Sequence, residues 1–124
     1  MLVQECYESF GGSYEDVKSR LMRDELIKRF VIKFLDDKSF EQLAEALKAK
    51  DYKNAFGAVH TLKGLCRNLS FDKLSVSASK LTETLRKWES VPVDEELCNV
   101  QWAEVSADYN QVVNAIRLLE ESAD

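Results

Sequence analysis

The sequence is short of residues that interrupt helices and of residues that build metal or disulfide sites. It has one proline, four glycines, three cysteines and a single histidine in 124 residues. With so few breaks and almost no β-branched alternation, helical periods should dominate the whole chain. Because the three cysteines are odd in number and widely spaced, we expect no disulfide framework and no metal site. We predict reduced thiols, two of them in the core.

Long apolar runs and a basic balance of charge are absent as well. The longest apolar runs fall far short of the roughly 20 residues that a membrane-spanning helix needs. Residues 1–5 lack the basic start and apolar stretch of a signal peptide, and the start at Met1 favours a free-standing protein. A net charge of -5 argues against a general nucleic-acid binder. We expect a cytoplasmic protein with protein partners, and neither membrane nor nucleic acid among them.

The chain is long enough for one hydrophobic core, since 45% of its residues are hydrophobic. We predict a single domain over 1–124, with a short N-terminal helix at about 13–22 and a helical bundle at about 24–122. The connections between the helices of this bundle are short. An all-α, antiparallel up-and-down four-helix bundle with a short N-terminal helical extension is therefore favoured, as a monomer. A coiled-coil dimer is the alternative, although short connections suit packing within one chain better.

Apolar spacing and capping patterns place the individual helices of the bundle. One helix is predicted near 24–35, with Ile27, Phe30, Val31 and Phe34 inward. Ser39 and Gln42 form a capping-box pattern for the next, and these two helices could be one kinked unit. A third runs from an N-cap at Asp51 to about 69, where Ser70 can cap the helix at 71–88. Pro92 then forces a break, and apolar steps at 98–119 predict a long closing helix.

The helix at 51–69 has two unlike faces. Its core face is apolar and consists of Ala55, Ala58, Val59, Leu62, Leu65, Cys66 and Leu69. The lone histidine, His60, points to the opposite side. It lies there in a stripe with Lys53, Phe56, Gly57, Lys63, Gly64 and Arg67. Glycine in an exposed helix interior costs about 1 kcal/mol relative to alanine, yet one glycine stands a turn before His60 and one a turn after it.

This stripe suits the transfer of a phosphoryl group. Bare backbone at Gly57 and Gly64 would let the active site of a second protein reach the ring, and a neutral imidazole is a competent nucleophile near pH 7. Lys63 and Arg67 supply positive charge that would stabilise a phosphoryl group. The sequence has no phosphate-cradling glycine loop, no GKS or GKT and no aspartate-based magnesium cluster. We therefore expect a phosphoryl carrier with no kinase activity, metal or cofactor of its own.

Residues 60–64, HTLKG, continued by 65–69, LCRNL, resemble the signature of histidine-containing phosphotransfer (HPt) domains. The resemblance extends upstream through 30–47 and 55–59 and downstream through 74–86, while the last helix matches only in pattern. Two positions depart from the usual signature. Val59 stands where the family often has alanine, and Ser70 stands where it often has glycine.

The resemblance implies that His60 receives phosphate from a receiver-domain aspartate of a hybrid kinase, or from a sensor kinase domain, and passes it to a response regulator. Magnesium is then expected on the partner receiver domain only. Lys63 is implied to stabilise the phosphate and Gly64 to give the partner access. In related modules a polar side chain of the next helix hydrogen-bonds the imidazole. The candidates for that role here are Thr82, Glu83 and Arg86.

Three further residues of the stripe, Phe56, Gly57 and Arg67, are predicted to bind the partner. Phe56 could instead be the edge of the core, and Arg67 an ordinary solvated charge. Two other functions compete with phosphotransfer. One is a helical adaptor that binds receiver domains without transferring phosphate. The other is a haem or metal bundle, which is disfavoured because carboxylate bundle sites use repeated Glu-x-x-His pairs and this chain has none.

Overall fold

The computed structural model describes residues 1–122, and these residues fold almost entirely into α-helices. The helices are α1 Val3–Ser9, α2 Tyr14–Leu21, α3 Asp24–Lys33, α4 Ser39–Lys48, α5 Tyr52–Asn68, α6 Asp72–Leu85 and α7 Glu95–Glu121. A short 3-10 turn at Phe34–Asp36 follows α3. The described part of the chain holds no strand. The all-α prediction is confirmed.

The helices α4 to α7 pack in chain order around a shared core. The most extensive contacts join α5 to α4 and to α6, and α6 to α7. Ion pairs cross from α6 to α7, with Lys73 Nζ 3.6 Å from Asp108 Oδ1 and Lys80 Nζ 3.5 Å from Glu104 Oε1. The ring of Phe40 in α4 lies against two aromatic rings of α7. In α7, five positions of the predicted seam are buried: Cys98, Val105, Val112, Ile116 and Leu119.

Of the side-chain caps that the sequence predicts, the one at the start of α5 is present and the one at the start of α4 is not. Asp51 accepts a hydrogen bond from the Asn54 backbone N–H at 3.2 Å, as expected for the start of α5. The expected cap at Ser39 is wrong: this serine is the first residue of α4, and Asp37 accepts hydrogen bonds from its N–H and hydroxyl. Asp37 has extended backbone, which separates α3 from α4, so they are not one kinked helix.

Ser70 is also not the N-cap of α6. It has a φ of +59°, in the left-handed region where glycine is favoured, and Phe71 takes the cap position. The Ser70 hydroxyl instead donates to Asp16 Oδ2 at 2.6 Å and accepts from Arg20. This serine therefore ties the connection after α5 to α2.

Two apolar residues lie outside the positions that the sequence pattern gives them. Phe30 is 41% exposed because it lines an open cleft of about 540 Å³ together with Leu65 and Leu69. Trp88 is half-buried and follows the end of α6 at Leu85, so the seam of that helix is one turn shorter than predicted.

The first helix, α1, is absent from the prediction, although its residues belong to the core. Tyr7 and Phe10 are almost completely buried. Their ring centroids lie 5.7 Å and 5.0 Å from that of Phe71. The Tyr7 hydroxyl donates to the carbonyl oxygen of Leu69 at 2.7 Å. The N-terminal segment thus holds the carboxyl end of α5 in place.

Gly12 allows the close packing between this segment and the bundle. A Cβ at Gly12 would lie 2.7 Å from ring atoms of both Phe10 and Tyr7. Because those rings are enclosed, we expect Gly12→Ala to lower the free energy of unfolding by about 1–3 kcal/mol. Chemical denaturation measures it. Gly57→Ala is the control, since nothing lies within 4 Å of a Cβ there, and it should stabilise by up to about 1 kcal/mol. Equal effects of both substitutions would contradict the packing argument.

All three cysteines are buried as free thiols, one more than the sequence analysis predicts. Cys6 is the additional one, because it lies on α1, a helix that the sequence analysis does not predict. Burial raises the pKa of the Cys6 thiol to about 11 and also raises the pKa of Cys66 and of Cys98. None of them is therefore a reactive thiolate near neutral pH. Separately, no helix within residues 1–122 is long and apolar enough to cross a membrane.

Candidate functional site

The helix α5 presents the lone histidine because its opposite side is fixed in the core. Five of the seven predicted core positions are buried: Ala55, Ala58, Val59, Leu62 and Cys66. The other two, Leu65 and Leu69, are half-buried. With 100° of rotation per residue, that anchoring leaves His60 facing outward, and its side chain is exposed. The two-faced helix is confirmed.

The glycines on either side of the histidine face open space. Gly57 and Gly64 are exposed, and a Cβ at either position would meet no atom within 4 Å. Packing inside the chain therefore does not require glycine here, unlike at Gly12. Each glycine nevertheless costs the helix about 1 kcal/mol, a cost that packing within residues 1–122 does not explain. The bare backbone leaves the helix surface at these two positions, beside His60, free of side chains.

An aromatic ring of the same helix lies against the imidazole. The ring centroids of Phe56 and His60 are 5.8 Å apart, and the ring planes differ by 15°. The two residues are four apart, the spacing that brings side chains together on one helix face. Among residues 1–122, no side chain or backbone group hydrogen-bonds the imidazole. The imidazole ring of His60 is instead held by its stacking on Phe56.

An ion pair at the end of α6 lies beside the ring of Phe56. Arg86, just after α6, donates hydrogen bonds to Glu83, the shortest 2.7 Å from Nη2 to Oε2. The Arg86 guanidinium carbon lies 5.5 Å from the centroid of the Phe56 ring. These hydrogen bonds from Arg86, with a weaker contribution from Lys63, hold the pKa of Glu83 below its ordinary value. Glu83, Arg86, Phe56 and His60 thus form a continuous surface across α5 and α6.

Thr82, the third candidate from α6, is not part of this surface. Its side chain is completely buried, and its hydroxyl donates to the carbonyl oxygen of Ala78 at 2.7 Å. None of the three polar candidates from this region hydrogen-bonds the imidazole. Glu83 and Arg86 bond to each other, and only Arg86 reaches the site, through Phe56.

The two cations predicted beside the histidine keep their charges unpaired. Lys63 is half-buried and Arg67 is exposed. Across the described residues, neither forms an ion pair with a carboxylate, whereas seven other cations do. Both are available to an anion that arrives at this face. Within residues 1–122, no three histidine, cysteine or acidic side chains lie close enough together to hold a metal ion.

Comparison with known families identifies the helical unit that carries this site. The family model of the Hpt domain matches residues 29–121, which is most of the chain. The chain belongs to the Hpt domain family. No curated protein matches it, and no solved structure does. The family match begins inside α3, so α1 and α2 lie outside the matched segment.

Membership gives the exposed histidine a chemical context. Hpt domains are phosphotransfer modules of two-component signalling, and they are carriers of phosphoryl groups rather than kinases. Members of the family interact with receiver domains and with kinases. What the sequence analysis did not identify is the stacking of Phe56 on His60 and the approach of Arg86. The four-residue spacing of the two rings was a signal for the first, and the second depends on the packing of α5 on α6.

Proposed function

We propose that this Hpt protein relays a phosphoryl group through His60. It would accept the group from a receiver-domain aspartate of a hybrid kinase, or from a kinase domain, and donate it to a response regulator. One observation carries the proposal: His60 is exposed at the centre of α5, between two glycines whose surroundings are open. No interaction within residues 1–122 accounts for that arrangement. A docking partner does.

The proposed step is an in-line displacement at phosphorus. A ring nitrogen of neutral His60 attacks with its lone pair, the N–P bond forms, and the P–O bond to the receiver aspartate breaks. The electron pair leaves with the aspartate carboxylate. The second ring nitrogen keeps its proton, which then exchanges with water. Transfer to the next receiver reverses these events, with that receiver's aspartate as the nucleophile.

The residues of this chain position and stabilise the phosphoryl group, and the partner supplies the catalytic centre. Lys63 and Arg67 compensate the charge of the bound phosphoryl group, since both are unpaired. Gly57 and Gly64 leave room for the receiver loops. We propose that the chain uses no cofactor itself and that magnesium is bound by the receiver domain alone. Phe56, next to these residues, contacts the partner or orders the site, and these two roles can be separated.

The setting proposed for this relay follows the family. We place the protein in the cytoplasm, where Hpt domains generally act, as a monomer. The proposal takes α4 to α7 as an antiparallel four-helix bundle. The pairing of Lys73 with Asp108 and of Lys80 with Glu104 supports opposite directions for α6 and α7, because the numbers rise along one helix as they fall along the other.

Incubation with phosphorylated receiver domains tests the proposal. A receiver labelled with radioactive phosphate should pass its label to this protein within minutes. The label should be lost in acid and kept in base, as a phosphoramidate is and an acyl phosphate is not. A profile across the receiver domains of one organism would identify the cognate partners. The proposal would be contradicted if receivers bound this protein and none of those tested passed its label to it.

A further inference from the structure

We propose that Phe56 is a positioning residue that orients the His60 ring for phosphotransfer, and that the Arg86–Glu83 pair holds Phe56 in place. This inference rests on the proposed function. It assigns Phe56 a part in the transfer step itself, which is distinct from a part in partner binding. It also gives the ion pair of α6 a reason to lie beside an uncharged ring.

The first argument is the state of the imidazole. An exposed histidine rotates about two side-chain bonds, and it attacks in line only when a ring nitrogen points outward. Within residues 1–122 no hydrogen bond restrains that rotation. The near-parallel Phe56 ring, 15° from the imidazole plane at a centroid distance of 5.8 Å, does so instead. Such offset stacking is strong enough to favour one ring orientation by roughly two- to tenfold.

The second argument is that Phe56 is itself held from α6. The planar guanidinium of Arg86 lies 5.5 Å from the ring centroid of Phe56, a distance typical of a cation–π contact. Three hydrogen bonds to Glu83, of 2.7–3.1 Å, fix that guanidinium. A chain of contacts thus runs from Glu83 through Arg86 and Phe56 to His60. His60, Glu83 and Arg86 are exposed, whereas the half-buried Phe56 also packs against the edge of the core.

The third argument is the direction of Thr82. A polar side chain from this turn of α6 could hydrogen-bond the imidazole, but the Thr82 hydroxyl is directed to the Ala78 carbonyl in the core. The surface that remains between α6 and His60 is occupied by Phe56 and Arg86. Aromatic stacking therefore takes the place of a hydrogen bond in restraining the phosphoacceptor ring.

Replacement of Phe56 by leucine separates positioning from docking. Leucine keeps the apolar contact area of the half-buried side chain but has no ring face. With a phosphorylated receiver in excess, single-turnover kinetics give both the transfer rate constant at saturation and the half-saturating receiver concentration. We expect the rate constant to fall roughly tenfold while the half-saturating concentration stays the same. Phe56→Tyr, which keeps the ring, should restore the rate.

Two control variants and an NMR measurement of the His60 ring complete the experiment. Tyr52→Leu removes an aromatic ring one turn earlier on α5, beside Glu95, and should leave the transfer rate unchanged. Glu83→Gln, which weakens the hold on Arg86, should lower the rate less than Phe56→Leu does. In proton NMR spectra, the His60 ring signals should move downfield in Phe56→Leu, because the ring current of Phe56 is lost, and return in Phe56→Tyr.

Two results would overturn the inference. A higher half-saturating concentration with an unchanged rate constant would make Phe56 a docking residue only. Histidine ring signals that are the same in wild type and Phe56→Leu would show that the two rings do not stack in solution, even if the variant is less stable. Failure of the proposed function looks different, since the wild-type protein would then take no label from any receiver.

Discussion

The His60→Gln variant is expected to take up no phosphoryl label from a receiver domain that labels the wild-type protein fully. Glutamine has a similar size but no nucleophilic ring nitrogen, and no other histidine is present to take over. The side chain is exposed and makes no hydrogen bond within residues 1–122, so the loss of its stacking on Phe56 should lower the free energy of unfolding by no more than about 1.5 kcal/mol. Autoradiography measures the label, and thermal unfolding measures the stability.

The same variant separates relay from adaptor. Binding of the receiver, measured by calorimetry, should survive His60→Gln within a few fold, because the docking surface is otherwise intact. Lys48→Gln, an exposed change on α4, is the control that should leave labelling unchanged. Label that persists in His60→Gln would disprove the assignment of the acceptor. Binding without labelling in the wild type would favour a helical adaptor.

The Gly64→Gln variant should transfer phosphate roughly 100-fold more slowly, while the fold remains as stable as in the wild type or becomes slightly more so. A Cβ at this position meets open space, so the new side chain costs nothing inside the protein, and glutamine is the better helix former. In the complex, however, that side chain would occupy the space beside His60. Misplacement of reacting atoms by about 1 Å can cost 100-fold in rate.

A graded series gives this prediction its control. Gly64→Ala adds a single methyl group and should reduce transfer much less than glutamine does, while it raises the free energy of unfolding by up to about 1 kcal/mol. Transfer rates and unfolding curves from the same preparations test both statements. A Gly64→Gln protein that transfers at the wild-type rate would show that access along this side of α5 is not needed.

The part of the site that lies on one helix could be predicted from the sequence, because the physics there is local. The cap at Asp51 bonds a backbone N–H three residues later, and helical geometry alone separates the buried Val59 from the exposed His60. The stacking of Phe56 on His60 was within reach of the same argument. The approach of Arg86 was not, since it depends on the packing of α6 against α5.

The errors in the predicted fold have a common cause, which is competition from groups distant in the sequence. Ser70 fits a capping pattern, but its hydroxyl bonds to Asp16, 54 residues away. Phe30 fits the core face of α3, yet it lines an open cleft. The helix α1 is only seven residues long, too short to be stable by itself. It forms because Tyr7 and Phe10 pack on Phe71.

The contact between Tyr7 and the carboxyl end of α5 has a consequence for the boundaries of the domain. The stretch that the family model matches begins at residue 29, whereas the stretch that folds together begins at α1. A fragment cut to the family match would expose the ring of Phe71 and leave the Leu69 carbonyl without its tyrosine partner. We therefore expect the smallest unit that folds and presents the histidine to include a segment that the family match leaves out.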